Sequence, residues 1–309
     1  MTTAPATIVS LIASATEIIC ALDLGDRLVG RSHECDFPTE VLALPTLSAP
    51  RVDPEGSSGA IDRDVRRLVR EGLSVYRVDV ETLQRLRPDL IVTQDHCEVC
   101  AVSLRDVEDA LCALDLPDTR VCTLHPECLA DVRQDFQAVA NAAGVPDAGQ
   151  RLVAEFSRRL ETLANRTAPL AHPRIALIEW LDPPMIAGGW MPELAAVAGT
   201  RPVIVEGPET FHTVDWETIV AANPDLVVVL PCGFDLERTR AAVDAPPIRE
   251  ALARIPAVAG GRGYLVDGNA YANRPGPRLA DSAELLAAIA HPELTDLRDT
   301  YGAVFAPVG

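Results

Sequence analysis

The sequence predicts an α/β protein of two similar lobes, each built on a mostly parallel central sheet, with one long helix joining them. Three observations carry this. Apolar strand-like runs alternate with helical stretches along the whole chain. A central segment repeats its apolar residues with helical spacing over about 20 residues. Finally, a twelve-residue stretch, ETLQRLRPDLIV from Glu81 to Val92, recurs without a gap as ETIVAANPDLVV from Glu217 to Val228.

Strands are expected in the first half at 7–12 (TIVSLI), 26–32 (DRLVGRS), 89–94 (DLIVTQ) and 119–125 (TRVCTLH). A second set is expected at 174–180 (RIALIEW), 225–231 (DLVVVLP) and 263–268 (GYLVDG). Continuous apolar runs of this kind suit parallel strands buried on both faces. A helix over 131–144 stops at Gly144, and a longer one follows, with Leu152, Val153, Phe156, Leu160 and Leu163 on one face. The proline-containing stretch 167–173 closes it. The organisation expected is therefore a first lobe at 1–145, a connecting helix at 146–168 and a second lobe at 169–309. Each copy of the repeat reads as a short helix, a stop at Pro-Asp, and a buried strand. This gives two Rossmann-like lobes with a ligand cleft between them.

Composition narrows the function. Of the 309 residues 48% are hydrophobic, enough for sizeable cores, and the net charge is −18. So acidic a surface lacks the basic footprint that a phosphate backbone requires, which argues against nucleic acid as a partner. All 27 basic residues are arginines. The first twenty residues contain no basic n-region, and no apolar run reaches about 18 residues, so a cytoplasmic location without a membrane span is expected. In that compartment the eight cysteines are expected to be thiols or metal ligands, not a disulfide framework.

The chemistry gathers after strands. His33, Glu34, Cys35 and Asp36 follow the second strand, and His96, Cys97 and Cys100 of QDHCEVC follow the third. The repeat offset places Cys232 of LPCGF opposite His96. In open α/β sheets the crevice outside the carboxyl ends of the strands is where ligands bind. His33, Cys35, His96, Cys97, Cys100 and Cys232 are therefore candidate metal ligands for zinc or an iron–sulfur cluster. Two other readings stay open: a CxxC dithiol that contacts a ligand or does redox chemistry, and cysteines that only pack. Cys20, Cys112 and Cys122 sit in apolar patterns and are expected in the core, while Cys128 with His125 forms another small candidate group. His33 and Glu34 are the candidate acid and base if there is catalysis. Trp180, Asp182 and Trp190 lie in one strand-end loop, and Asn269, Tyr271, Asn273 and Arg274 in another; flat aromatics suit a large planar ligand and Arg274 an anion. No GxGxxG, Walker A, GxSxG or HExxH motif is present.

The opening TIVSLIASATEIICALDLGDRLVGRSHECDFP, the paired Glu-x6-Pro-Asp-Leu units and the long joining helix resemble the helical-backbone (class III) substrate-binding proteins of ABC importers, and within them the cobalamin-binding proteins. The resemblance covers nearly the whole chain. It implies a cobalamin-like corrinoid or another metal chelate, such as haem or a siderophore, held between the lobes. It also implies docking of one surface glutamate per lobe, here Glu81 and Glu217, on an ABC permease. The cysteines of SHECD, HCEVC and PCGF are a departure that points to a cytosolic, cysteine-rich subgroup. Two alternatives share the scaffold: a metalloenzyme holding zinc or an iron–sulfur cluster through Cys35, Cys97, Cys100 and Cys232, and a thiol-redox protein using Cys97 and Cys100.

Overall fold

The computed structural model describes residues 4–71, 73–95, 104–114, 116–204 and 212–309. The chain divides into two compact units, Met1–Gly56 with Arg63–Glu155, and Ser57–Asp62 with Phe156–Gly309.

Among the described residues the first unit contains six strands: β1 (Ile8–Ser10), β2 (Leu28–Arg31), β3 (Ser48–Pro50), β4 (Tyr76–Val78), β5 (Leu90–Gln94) and β6 (Arg120–Leu124). Four of them form an all-parallel sheet in the order β2-β1-β5-β6, and β3 pairs antiparallel with β4. All five residues of β5 are buried, as the apolar run demanded of a strand covered on both faces. Val9, Leu11, Ile91 and Leu83 meet Leu47, Val75 and Tyr76 in the core.

The second unit contains β7 (Arg174–Leu181), β8 (Pro184–Ile186), β9 (Arg201–Pro202), β10 (His212–Thr213), β11 (Leu226–Val229), β12 (Gly263–Val266) and β13 (Phe305–Pro307). Their order is β10-β8-β7-β11-β12-β13, with β9 also on β7. The inner pairs β7–β11 and β11–β12 are parallel; β8, β10 and β13 add antiparallel edges that the apolar runs did not announce. Ala176, Ile178, Val227, Val229 and Leu265 are fully buried or nearly so in this core.

The duplicated segment has the same local build in both units. Helix Val80–Leu86 opens on Asp79, whose carboxylate accepts the Thr82 N–H at 3.0 Å; helix Trp216–Ala222 opens on Asp215, which accepts the Thr218 N–H at 2.7 Å. Both helices close on a left-handed residue, Arg87 at φ 44°, ψ 60° and Asn223 at φ 44°, ψ 62°. The Pro-Asp that follows starts the central strand, and its aspartate ties that strand to its neighbour. Asp89 accepts the N–H groups of Ala6 and Thr7, and Asp225 accepts that of Arg174.

The long helix runs Pro146–Thr167 and contributes to both units, dividing after Glu155. Phe156, Leu160 and Leu163 are its buried face. Arg159 joins Asp281 (2.6 Å) and Glu284 (2.9 Å), and Tyr301 donates to Glu284 at 2.7 Å, which fixes the carboxyl half of the helix to Leu279–Ala290 and Thr295–Tyr301.

A left-handed conformation costs an ordinary L-residue more than it costs asparagine. Arg87→Asn, which copies the residue at the equivalent point of the other unit, should therefore raise stability by roughly 0.5–1 kcal/mol. A urea midpoint that falls would show that the Arg87 side chain matters more than its backbone.

Candidate functional site

Strand register sets which side chains emerge at the carboxyl ends of the sheets. In the first unit β2 runs into Ser32, His33, Glu34 and Cys35. His33 is anchored by Ser48 of β3: the Ser48 Oγ accepts the His33 backbone N–H at 3.1 Å and lies 2.8 Å from His33 Nδ1. The ring of Tyr76 on β4 sits 5.2 Å away by centroids, tilted by 40°. Burial, with a smaller push from Arg31, holds the imidazole pKa down at about 4, so His33 is neutral near pH 7. Tyr76 donates to Glu34 at 3.4 Å. Cys35 is fully enclosed, and Thr16 donates to its Sγ at 2.9 Å.

The neighbouring strands deliver a second titratable group. Asp95 follows β5 and His125 follows β6, and they pair at 2.6 Å between Oδ1 and Nδ1. The hydrogen bond to Asp95 is the main cause that raises the His125 pKa, and Glu127, 3.4 Å from Nε2, adds to it. Behind them Asp135 projects from the apolar face of helix Leu129–Ala142. It is 7% exposed, its Oδ2 has no hydrogen-bond partner among the described residues, and burial pushes its pKa up to about 7. Cys128 does not join His125. Its Sγ and backbone N–H both go to Asp131, at 3.1 and 3.2 Å, and cap that helix.

In the second unit β7 ends on Glu179, Trp180 and Leu181. Trp180 is half-buried, and Phe234 meets it edge-on at 5.5 Å with the Arg238 guanidinium 3.7 Å from the Phe234 ring centroid. Glu179 faces the other way. It is buried, its Oε2 has no partner among the described residues, and desolvation raises its pKa well above the usual carboxyl range. Cys232 follows β11 and is exposed, its backbone N–H bonded to the Glu179 carbonyl at 3.1 Å. After β12 the chain turns into a short helix, Gly268–Tyr271, packed against the end of β11. A Cβ at Gly268 would fall 2.3 Å from the Pro231 carbonyl oxygen, so only glycine allows this approach. Asn273 holds the loop by donating to the carbonyls of Gly268 (2.9 Å) and Leu230 (3.3 Å).

Several sequence expectations change. Trp190 is 4% exposed and its indole N–H goes to the Ala272 carbonyl at 2.9 Å; it braces the loop after β12 and offers no flat face to a ligand. Arg274, expected to hold an anion, is buried and donates to Asn269 Oδ1 at 2.8 Å. Tyr271 packs edge-on to Tyr301, with centroids 6.4 Å apart, and Asp182 is exposed. Cys112, expected in the core, is exposed because helix Leu104–Ala113 buries the Val107 and Ala110 face instead; Cys20 and Cys122 are partly buried. His96, Cys97 and Cys100 lie outside the described residues. Among the described residues no three His, Cys, Asp or Glu side chains group as a metal site. Nor is any described helix long and apolar enough to cross a membrane. The sequence reading missed the Asp95–His125 pair and the Ser48 support of His33; their signal was position alone, one residue past a strand end and a serine in a short edge strand.

Two α/β lobes with polar and aromatic groups at the carboxyl ends of their parallel strands define a ligand-binding class of protein. The sequence model of the periplasmic binding protein family matches residues 8–270, and the chain belongs to this family of ABC-type substrate-binding proteins. It is 25% identical over 299 residues to YvrC, an uncharacterized ABC transporter substrate-binding lipoprotein of Bacillus subtilis, covering 94% of this chain and 81% of that one. It is 22% identical over 280 residues to the vitamin B12-binding protein of Vibrio cholerae, covering 90% and 86%. A periplasmic heme-binding protein of Pseudomonas aeruginosa superposes with a TM-score of 0.71 at 21% identity, covering 93% of both chains. The Vibrio cholerae vitamin B12-binding protein superposes at 0.65 and 20% identity, covering 92% and 96%. These superpositions show a shared two-lobe α/β fold.

Asp135 yields a pH prediction. Its pKa in the fold, about 7, lies above the ordinary carboxyl value, so the folded state holds this proton where the unfolded chain has lost it. Its contribution is complete below about pH 4 and is lost as the pH rises toward 7. Asp135→Asn, which cannot ionise, should match the wild type near pH 4 and exceed it at pH 8 by on the order of 3 kcal/mol. Parallel unfolding curves for the two proteins across that range would contradict the assignment.

Proposed function

We propose that the chain is a binding protein for a tetrapyrrole-class metal chelate, a cobalamin-like corrinoid or a haem, contacted by the strand-end loops of its lobes. The observation that carries the reading is the half-buried Trp180 at the end of β7, set edge-on by Phe234, with Arg238 over the Phe234 ring and Cys232 exposed on the adjoining strand end. A half-buried indole set against Phe234, whose own ring carries a cation, suits a broad planar ligand with acidic or amide periphery. The family and the B12- and heme-binding names of two similar proteins support the same ligand class.

Docking on a permease belongs to the proposal too. Glu81 and Glu217 occupy equivalent first-turn positions on the duplicated helices, and both are exposed. They differ in one respect: Glu217 is paired with Arg254 at 2.7 Å, whereas Glu81 makes no ion pair among the described residues. Docking on an importer and the cytoplasmic location expected from the sequence compete, because an importer takes its ligand from outside the membrane. Cell fractionation with an antibody to the chain separates them.

Titration of the purified protein with hydroxocobalamin and with haemin, read by tryptophan fluorescence and visible absorbance, tests the ligand class. One of the two should bind at micromolar concentration or below, and Trp180→Ala should weaken it about tenfold. Binding of neither probe would end the tetrapyrrole reading, and bound zinc, or iron with sulfide, in the purified protein would favour the metalloenzyme.

A further inference from the structure

His33 is held in a way that decides which of its ring nitrogens carries the proton. Ser48 is 5% exposed, and both partners of its Oγ belong to His33, the backbone N–H at 3.1 Å and Nδ1 at 2.8 Å. The hydroxyl already accepts the backbone N–H, so its own proton needs an acceptor, and Nδ1 is the one within reach. A nitrogen that accepts carries no proton, so the ring proton then sits on Nε2. The opposite tautomer would aim two N–H donors at the Ser48 oxygen and leave its buried hydroxyl proton with no acceptor. Among the described residues Nε2 has no acceptor in range: Glu34 Oε1 stands 3.8 Å away, past hydrogen-bonding distance. The side chain keeps 23% of its surface exposed, at the carboxyl end of a parallel strand where such sheets meet their ligands.

We infer that His33 is a specificity residue that donates a hydrogen bond from Nε2 to a carbonyl or carboxylate oxygen on the rim of the bound ligand and does not coordinate the ligand's metal. The ligand named here rests on the tetrapyrrole reading; the state of the ring does not. Metal coordination requires a lone pair on Nε2, and hence the tautomer that Ser48 disfavours. Corrinoids and haem both carry peripheral amide or carboxylate oxygens, so the donor reads a feature common to the class.

Two measurements test this. In nitrogen-15 spectra of histidine-labelled protein at pH 7, with the His33 signals assigned by their loss in His33→Ala, the ring should show a protonated Nε2 and an accepting Nδ1; a protonated Nδ1 overturns the inference. In titrations with hydroxocobalamin and haemin, the wild-type complex should keep a metal spectrum free of protein-imidazole features. His33→Ala should bind about tenfold more weakly with the same spectrum, and His33→Gln, which restores an N–H donor, should recover part of the loss. An imidazole-ligand spectrum that disappears in His33→Ala, or undiminished affinity in that variant, overturns it. Wild-type protein that binds neither probe removes the tetrapyrrole reading and the ligand named with it, while the nitrogen-15 result still judges the ring by itself.

Discussion

The register of two strand pairs governs what each lobe presents. Asp89 and Asp225 stand at the start of the buried strands β5 and β11, and each carboxylate binds backbone N–H groups at the start of the adjacent strand, β1 or β7. These contacts fix Leu90 against Ile8 and Leu226 against Ile175. A slip of one residue would turn every side chain of a fully buried strand to the wrong face, so the two apolar faces and the aspartate enforce the same pairing. Counting forward from that pairing gives the strand ends: Asp95 after β5, and Leu230, Pro231 and Cys232 after β11.

The same framework carries different chemistry in each lobe. The first lobe brings hydrogen-bonding and titratable groups to its strand ends: His33 on Ser48, Glu34 with Tyr76, and the Asp95–His125 pair in front of Asp135. The second brings an aromatic edge and a cation, Trp180 with Phe234 and Arg238, and a loop closed on β11 through Gly268 and Asn273.

The parts of this arrangement that follow from periodicity were legible in the sequence. Apolar runs marked the parallel strands, the constant offset marked the duplicated helix–strand unit, and the spacing of Phe156, Leu160 and Leu163 marked the long helix. What depends on tertiary partners was not. Trp190 follows two glycines and reads as a loop aromatic, yet the Ala272 carbonyl, far along the chain, draws its indole inward. Arg274 reads as a free cation until Asn269, five residues earlier, is seen to accept from it. The short antiparallel strands β8, β10 and β13 have two or three residues each, too few for an alternating pattern to show. Cys112 is the exception: Val107 and Ala110 already define the buried face of its helix, and helical spacing from them turns residue 112 toward solvent.

Two buried acids make the strand ends energetically expensive. Asp135 Oδ2 and Glu179 Oε2 each lack a partner among the described residues, and each carboxyl is pushed toward its neutral form by burial. An unsatisfied buried polar atom costs about 1–3 kcal/mol, and an ionised one would cost more. The formal net charge of −18 counts both carboxyls as ionised, and burial makes neutrality the cheaper state for each. Apolar residues at these two positions would avoid the penalty altogether. That acids are kept one in each lobe, Asp135 beside the His125 loop and Glu179 at the end of β7, sets a stability cost at the carboxyl ends of the sheets, the region where α/β proteins bind their ligands. The fully buried strands β5 and β11, with Leu90, Ile91 and Val92 in one and Leu226–Val229 in the other, offset that cost, since their burial holds the sheets together without help from the groups at the strand ends.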